Sequence, residues 1–285
     1  MAEFSAVNQD AGDFMARSVA EEKQTARLNQ EFRDAQSPVF QNITNKVCDC
    51  GYIGNSWTTR NEADVMIKHL RLMPSHDLLD IGAGAGWPGL YLAQKTGCAV
   101  TLLDLPETGL RLAQARAETD GMTLQLSTIQ GDAADMPLPS ESFTAISHSD
   151  VLCCLEDKLT VLQECRRVIN ADGRMCFTVI RLANGLKGTA MERAVQAGPE
   201  FIHSETHYPS MLHSAGWQII QQDDITGAFC ASIERMIAAE EKQSESLRAL
   251  RGNEANEIAQ ANWRYKLQAV TDGLILREFF SVVPA

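Results

Sequence analysis

Leu78-Leu79-Asp80-Ile81-Gly82-Ala83-Gly84-Ala85-Gly86-Trp87 decides the fold of this chain. An apolar run ends in an acid, three glycines alternate with small residues, and an amphipathic segment opens at Pro88-Gly89-Leu90-Tyr91-Leu92-Ala93. The pattern predicts a buried strand, a tight turn of bare backbone and a helix. A ligand can lie directly on such a turn, and the helix start adds unpaired N–H groups. Gly84-Ala85-Gly86-Trp87-Pro88-Gly89 matches the G-x-G-x-x-G string of dinucleotide sites, but it begins after the turn has started. Counted from Gly82, the last glycine falls on Trp87 and the match fails. Asp80 separates the two readings. An acid at that strand end repels a pyrophosphate and attracts a cation, which favours an adenosine bearing a sulfonium and an ammonium.

Asp104 closes the next apolar run, Cys98 to Leu103, roughly 20 residues beyond the glycines, where a ribose-binding acid sits. A third acid, Asp132 in Gln130-Gly131-Asp132-Ala133, ends the strand-like stretch 124–129. Asp104 and Asp132 each also fit a turn-former or a helix N-cap, but three acids at the ends of three successive strands point to a ligand. This set resembles the class I S-adenosylmethionine (SAM) methyltransferases, whose first motif is an acid-x-G-x-G-x-G turn. The resemblance implies SAM as cofactor. It sets Asp80, Gly82, Gly84, Gly86 and Trp87 around the cofactor and Asp104 with Leu105 at the ribose. Gly131, Asp132 and Ala133 then fall at the adenine, with Asp132 accepting from its amino group and the Ala133 N–H donating to the ring, and His148 is also expected beside the cofactor.

Composition agrees with a cytoplasmic enzyme. A chain of 285 residues can bury one large α/β core with accessory helices. A net charge of −12 argues against nucleic-acid or anionic-membrane partners and leaves a small molecule, with room for a homodimer. No stretch approaches the ~20 apolar residues of a membrane span, and Met1-Ala2-Glu3-Phe4 lacks a signal-peptide pattern. Cys48-x-Cys50 and Cys153-Cys154 have the wrong spacing for zinc, so the eight cysteines read as reduced thiols. His203, His207 and His213 have no acidic or cysteine ligands beside them, and no metal is expected.

From residue 61 onward helix and strand patterns alternate. The first helix covers 61–73 with Asn61 as its cap, and strands follow near 77–82, 98–104, 123–130, 143–149 and 173–181. Helices lie near 88–96, 107–119, 157–169 and 188–197. Two later strands, near 217–220 and 274–283, bracket a helical charged insert over 227–271. The expectation is a doubly wound, mostly parallel seven-stranded α/β sheet with right-handed crossovers and N-terminal helices. Residues 1–60 would form an N-terminal helical lid, and 61–285 the core with its lid insert.

The second half narrows the resemblance. Ser149-Asp150-Val151-Leu152-Cys153-Cys154-Leu155-Glu156-Asp157-Lys158 is similar to a segment of the phosphoethanolamine methyltransferases, in which S-x-D is followed by a histidine and then D-K. Two departures stand out. The family's histidine falls on Cys154, and residues 194–205 offer no arginine or tyrosine to grip a phosphate. The acceptor site is expected to use His148 as a base, Asp150 for an ammonium and Arg181 for a carboxylate. His148 and Asp150 are two apart on one strand and should share a face. His207 and Tyr208 would approach from the segment before the sixth strand. In similar enzymes the loop holding Tyr52, Trp57 and Arg60 folds over SAM, where an aromatic can pack on the sulfonium. An NAD-linked oxidoreductase is disfavoured by Asp80; a SAM-binding sensor without catalysis is the reading that the Cys154 departure keeps open.

Overall fold

A computed structural model describes residues 18–54 and 56–285. Residues 1–17 of the expected N-terminal lid lie outside that range. Seven strands, β1 (Asp77–Ile81), β2 (Ala99–Asp104), β3 (Leu126–Gln130), β4 (Phe143–Ser149), β5 (Ile169–Leu182), β6 (Trp217–Asp224) and β7 (Ile275–Pro284), form one sheet. Their order is β3-β2-β1-β4-β5-β7-β6. The first five pair in parallel, and β7 runs antiparallel between β5 and β6. Leu78, Leu79, Ile81, Leu102 and Leu103 are all buried, as expected of strands covered on both faces.

The helices are α1 (Val19–Asp34), α2 (Pro38–Cys48), α3 (Arg60–Leu70), α4 (Gly89–Thr96), α5 (Glu107–Thr119), α6 (Lys158–Val168), α7 (Gly188–Ala197), α8 (Tyr208–Ser214), α9 (Thr226–Lys242), α10 (Ser244–Arg251) and α11 (Asn253–Thr271). On one face Met66, Leu90 and Ala113 pack under α3, α4 and α5. On the other, Leu162, Ala194 and Leu212 meet Phe177 and Phe280. The first core helix starts one residue earlier than its sequence suggests, and Asn61 does not cap it. Thr59 does: its hydroxyl accepts from Glu62 N, and the Glu62 carboxylate accepts from Thr59 N at 2.7 Å.

The N-terminal helices dock at two places. α1 packs along α5, and α2 packs on α9, where Ile43 and Val47 meet Leu247 and Met236. Arg235 secures the second contact by donating to the Val47 carbonyl at 3.0 and 3.1 Å. At the end of α2, Asp49 takes a left-handed conformation (φ 53°) and turns the chain back on itself. That reversal brings Cys48 and Cys50 together as a disulfide, with Cα atoms 5.1 Å apart. The expectation of reduced thiols is corrected for these two. Spacing alone hid the pair, because adjacent-but-one cysteines meet only where the residue between them is turned.

The strand order reverses between β1 and β4, the switch point at which open α/β sheets bind ligands beyond their carboxyl ends. Among the described residues no helix is long and apolar enough to cross a membrane.

Candidate active site

A cavity of about 180 Å³ opens at this switch point. Its floor is the glycine turn. Gly82 and Gly84 have φ of 62° and 51°, and the Gly82 N–H donates to Leu103 O at 2.8 Å, tying the turn to β2. A Cβ on Gly82 would collide with Val151, and one on Gly84 would stand 2.9 Å from the Phe32 ring. The bare backbone is therefore required, as the sequence implied. Gly86 serves a different purpose. It is absent from the cavity wall, and its α-carbon faces Leu90 and Ala113, so it lets α4 and α5 close up.

Asp80 is buried at the end of β1 and lines the cavity. One oxygen accepts from Ser147 Oγ at 2.6 Å, the other from Gly89 N at 3.0 Å, at the opening of α4. Burial pushes its carboxyl up to about 7, against the pull of those two hydrogen bonds. The contact also explains Gly89, where a Cβ would lie 2.5 Å from the Asp80 oxygen. Gly89→Ala should therefore lose about 2–4 kcal/mol of folding free energy through overpacking and the stretched bond. Urea denaturation will measure it, and a midpoint equal to the parent's would show that α4 can shift freely. Asp104, at the end of β2, accepts from Gly84 N (2.6 Å) and Leu105 N (2.8 Å). Burial raises it to about 6, and Leu105 stands beside it in the wall.

The remaining expected cofactor residues divide. Trp87 and Tyr52 line the cavity and pack on each other at 5.2 Å. Trp87 Nε1 donates to Thr58 O at 2.8 Å. The Tyr52 ring carries the Arg116 guanidinium at 4.3 Å, and burial pushes its hydroxyl up to about 12. Trp57 stands elsewhere, edge-on to Phe229 and Trp263 at 5.1 and 5.6 Å, outside the cavity wall. Large aromatics on α9 and α11 draw it into the insert. Gly131, Asp132 and Ala133 also lie outside the wall; Asp132 accepts from Ala134 N at 2.8 Å, and Gly131 packs against Pro137.

The five expected acceptor residues do not meet in one place. His148 lies with both ring nitrogens buried and without partners, stacked on Phe177 at 4.5 Å. Desolvation lowers it to about 3, so it is an uncharged core residue outside the cavity wall. Asp150 does line the cavity, but on the opposite side of the sheet from His148. The chain turns left-handed at Asp150 (φ 56°), which breaks the strand alternation on which a shared face relies. Arg181 is held bidentately by Glu278 at 2.7 Å for both bonds and borders a second, smaller cavity of about 120 Å³. His207 and Tyr208 border that second cavity as well, His207 exposed and Tyr208 buried with its hydroxyl unpartnered.

Several contributors were not anticipated. Phe32 and Gln24 of α1 line the cavity, and Gln24 donates to the Cys154 carbonyl at 2.8 Å. The Cys48–Cys50 pair forms part of the same wall. Ser149 belongs to the same wall, and its Oγ is buried without a partner. Arg277 is completely buried on β7 and clasps Asp150 and Glu62. The signal for it was an arginine in the apolar run Leu274 to Val283, since a charge buried there must find partners.

The wall carries Asp80, Asp104, Asp150 and Glu31 and, among the described residues, no lysine, arginine or histidine. A bare glycine turn, two buried acids on successive strand ends and an unpartnered Ser149 hydroxyl fit a nucleoside cofactor that bears positive charge. The fold is one that solved methyltransferases share. Residues 79–177 match the family described as "Methyltransferase domain". It is 25% identical over 169 residues to "Methyltransferase GfsG" from Streptomyces halstedii, spanning 56% of this chain and 59% of that protein. It is 24% identical over 212 residues to a glycine/sarcosine/dimethylglycine N-methyltransferase from Actinopolyspora halophila, spanning 73% of this chain and 37% of that one. Matching regions thus span between about a third and three fifths of the lengths of these relatives. The fold is shared with phosphoethanolamine N-methyltransferase 2 from Haemonchus contortus at a TM-score of 0.72 and 18% identity, over 90% of this chain and 60% of that one.

Proposed function

We propose that the chain transfers a methyl group from SAM to the nitrogen of a small amine. The observation that carries this reading is the composition of the cavity wall, four acids and, among the described residues, no lysine, arginine or histidine, with Arg277 and Arg27 meeting Asp150 and Glu31 from outside it. Such a wall can hold an amine by hydrogen bonds to its acids and, among the described residues, offers no cation to a phosphate or carboxylate acceptor. The one arginine assigned to a carboxylate, Arg181, is already neutralised by Glu278.

SAM supplies, when bound, an electrophilic methyl carbon on a sulfonium. The chain's residues supply the rest. Asp104 accepts from ribose hydroxyls, the turn at Gly82 and Gly84 gives close backbone approach, and Asp80 holds negative charge beside the cationic part. The adenine assignment to Gly131, Asp132 and Ala133 rests on the resemblance. Asp150 accepts a hydrogen bond from the neutral acceptor nitrogen and so orients its lone pair, and the proton that the methylated nitrogen sheds passes to solvent on release; α1, through Phe32 and Gln24, acts as a lid over the cleft meanwhile. Displacement at a sulfonium disperses charge, so positioning in a dry site is the main demand. Cytoplasmic residence belongs to the same proposal, supported by six free cysteines and opposed by the single Cys48–Cys50 disulfide.

Release of S-adenosylhomocysteine across a panel of amines, alcohols, carboxylates and phosphate esters tests the reading. Turnover is expected with an amine and not with a phosphate ester. Turnover confined to phosphorylated or carboxylate acceptors would overturn it.

A further inference from the structure

Asp150 does not sit in the cavity by its own preference. An aspartate at φ 56° occupies a sparsely populated backbone region, and such conformations persist only where the surroundings hold them. Here its N–H donates to Thr178 O at 2.9 Å, and its carboxylate is caught from the far side by Arg277. Arg277 Nε lies 3.0 and 3.1 Å from the two carboxylate oxygens, and Nη2 lies 2.9 Å from Oδ2. The same guanidinium donates through Nη1 to Glu62 at 2.8 Å, and through Nη2 to Thr58 Oγ1 (3.2 Å) and Thr178 Oγ1 (3.1 Å). Only a planar fork can serve four residues in these directions at once.

Arg277 is fully buried and is not part of the cavity wall, so it touches neither cofactor nor acceptor. One guanidinium faces two carboxylates, and the cluster as a whole remains negative. We propose that Arg277 is the positioning residue for Asp150: it fixes the carboxylate's orientation at the cavity while Glu62 prevents its charge from being cancelled. The role rests on the reading that Asp150 binds the acceptor nitrogen. It also links that acid to the cofactor side, because Thr58, which accepts Trp87 Nε1 through its carbonyl, meets Arg277 through its hydroxyl.

A double-mutant cycle tests the assignment in the full chain. Arg277→Lys keeps the charge and loses the fork. With the amine found in the panel, it should lower kcat/KM at least tenfold while the KM for SAM stays within about twofold. In the background of Asp150→Asn, Arg277→Lys should cause less than a further twofold loss, because its effect runs through Asp150. Independent, multiplying losses would overturn the proposal even with amine methylation established. Turnover restricted to non-amine acceptors would instead sink the functional reading; the same cycle on that acceptor would still decide the positioning role. Should no acceptor turn over, crystal structures of the parent and Arg277→Lys with S-adenosylhomocysteine decide it. An unchanged Asp150 side-chain orientation would overturn the proposal, and a rotated carboxylate would support it.

Discussion

Replacing Arg277 by methionine should cost about 3–5 kcal/mol of folding free energy, the scale expected when one partner of a buried ion pair is removed. Arg277 has no solvent exposure, and the Asp150 and Glu62 side chains are only 10% and 14% exposed. Methionine matches much of the volume, so the loss would come from two carboxylates left facing each other without a cation. Adding Glu62→Gln and Asp150→Asn to the same chain should recover a substantial part of it, since the uncompensated charges are then gone. Urea unfolding of the single and triple variants measures both effects. A single variant within about 1 kcal/mol of the parent would show that water reaches the cluster and solvates the acids.

A comparably large effect is expected from pH on cofactor affinity. Burial raises Asp80 to about 7 and Asp104 to about 6. A cation beside Asp80 and hydroxyls on Asp104 favour the ionised carboxylates, so both fall when the cofactor binds. Binding then releases protons, and affinity rises with pH through 6 to 7, by up to about tenfold per unit for each group. The effect on the free protein has the opposite sign. Carboxyls raised above their unfolded values near 4 contribute stability that is full below pH 4 and lost as pH rises through 6 to 7. The gain in melting temperature on adding S-adenosylhomocysteine should therefore grow from pH 5.5 to 8. Asp80→Asn, whose oxygen can still accept from Gly89 N while its amide nitrogen donates to Ser147 Oγ, should flatten much of that slope. A gain independent of pH in the parent would mean that neither acid changes its protonation on binding.

Parts of this molecule that depend on local pattern were readable in the chain. The buried parallel strands appear as apolar runs, and the helices between them start and stop within a few residues of their patterns. The glycine turn was readable because Gly82 and Gly84 meet a backbone demand that other residues meet poorly. What failed was set by partners distant in sequence. Arg181 looked free until Glu278, 97 residues away, arrived beside it. His148 and Asp150 share a strand parity, but the left-handed turn at Asp150 sends them to opposite sides. Trp57 lies in the expected loop yet follows Phe229 and Trp263 into the insert. The Cys48–Cys50 pair depends on the conformation of Asp49, which spacing does not reveal.

The antiparallel place of β7 between β5 and β6 gives the molecule a timetable. Asp150 and Arg277 are 127 residues apart. At a synthesis rate of roughly 5–20 residues per second, about 6–25 seconds separate their appearance. When that interval opens the cofactor turn and the first four strands already exist as chain, while Asp150 has no guanidinium to face. The half of the cleft that receives the cofactor is encoded early, and the half that receives the acceptor is finished only when a late strand slides into an interior slot. A nascent chain on the ribosome can thus carry the cofactor motifs well before it has the means to use them.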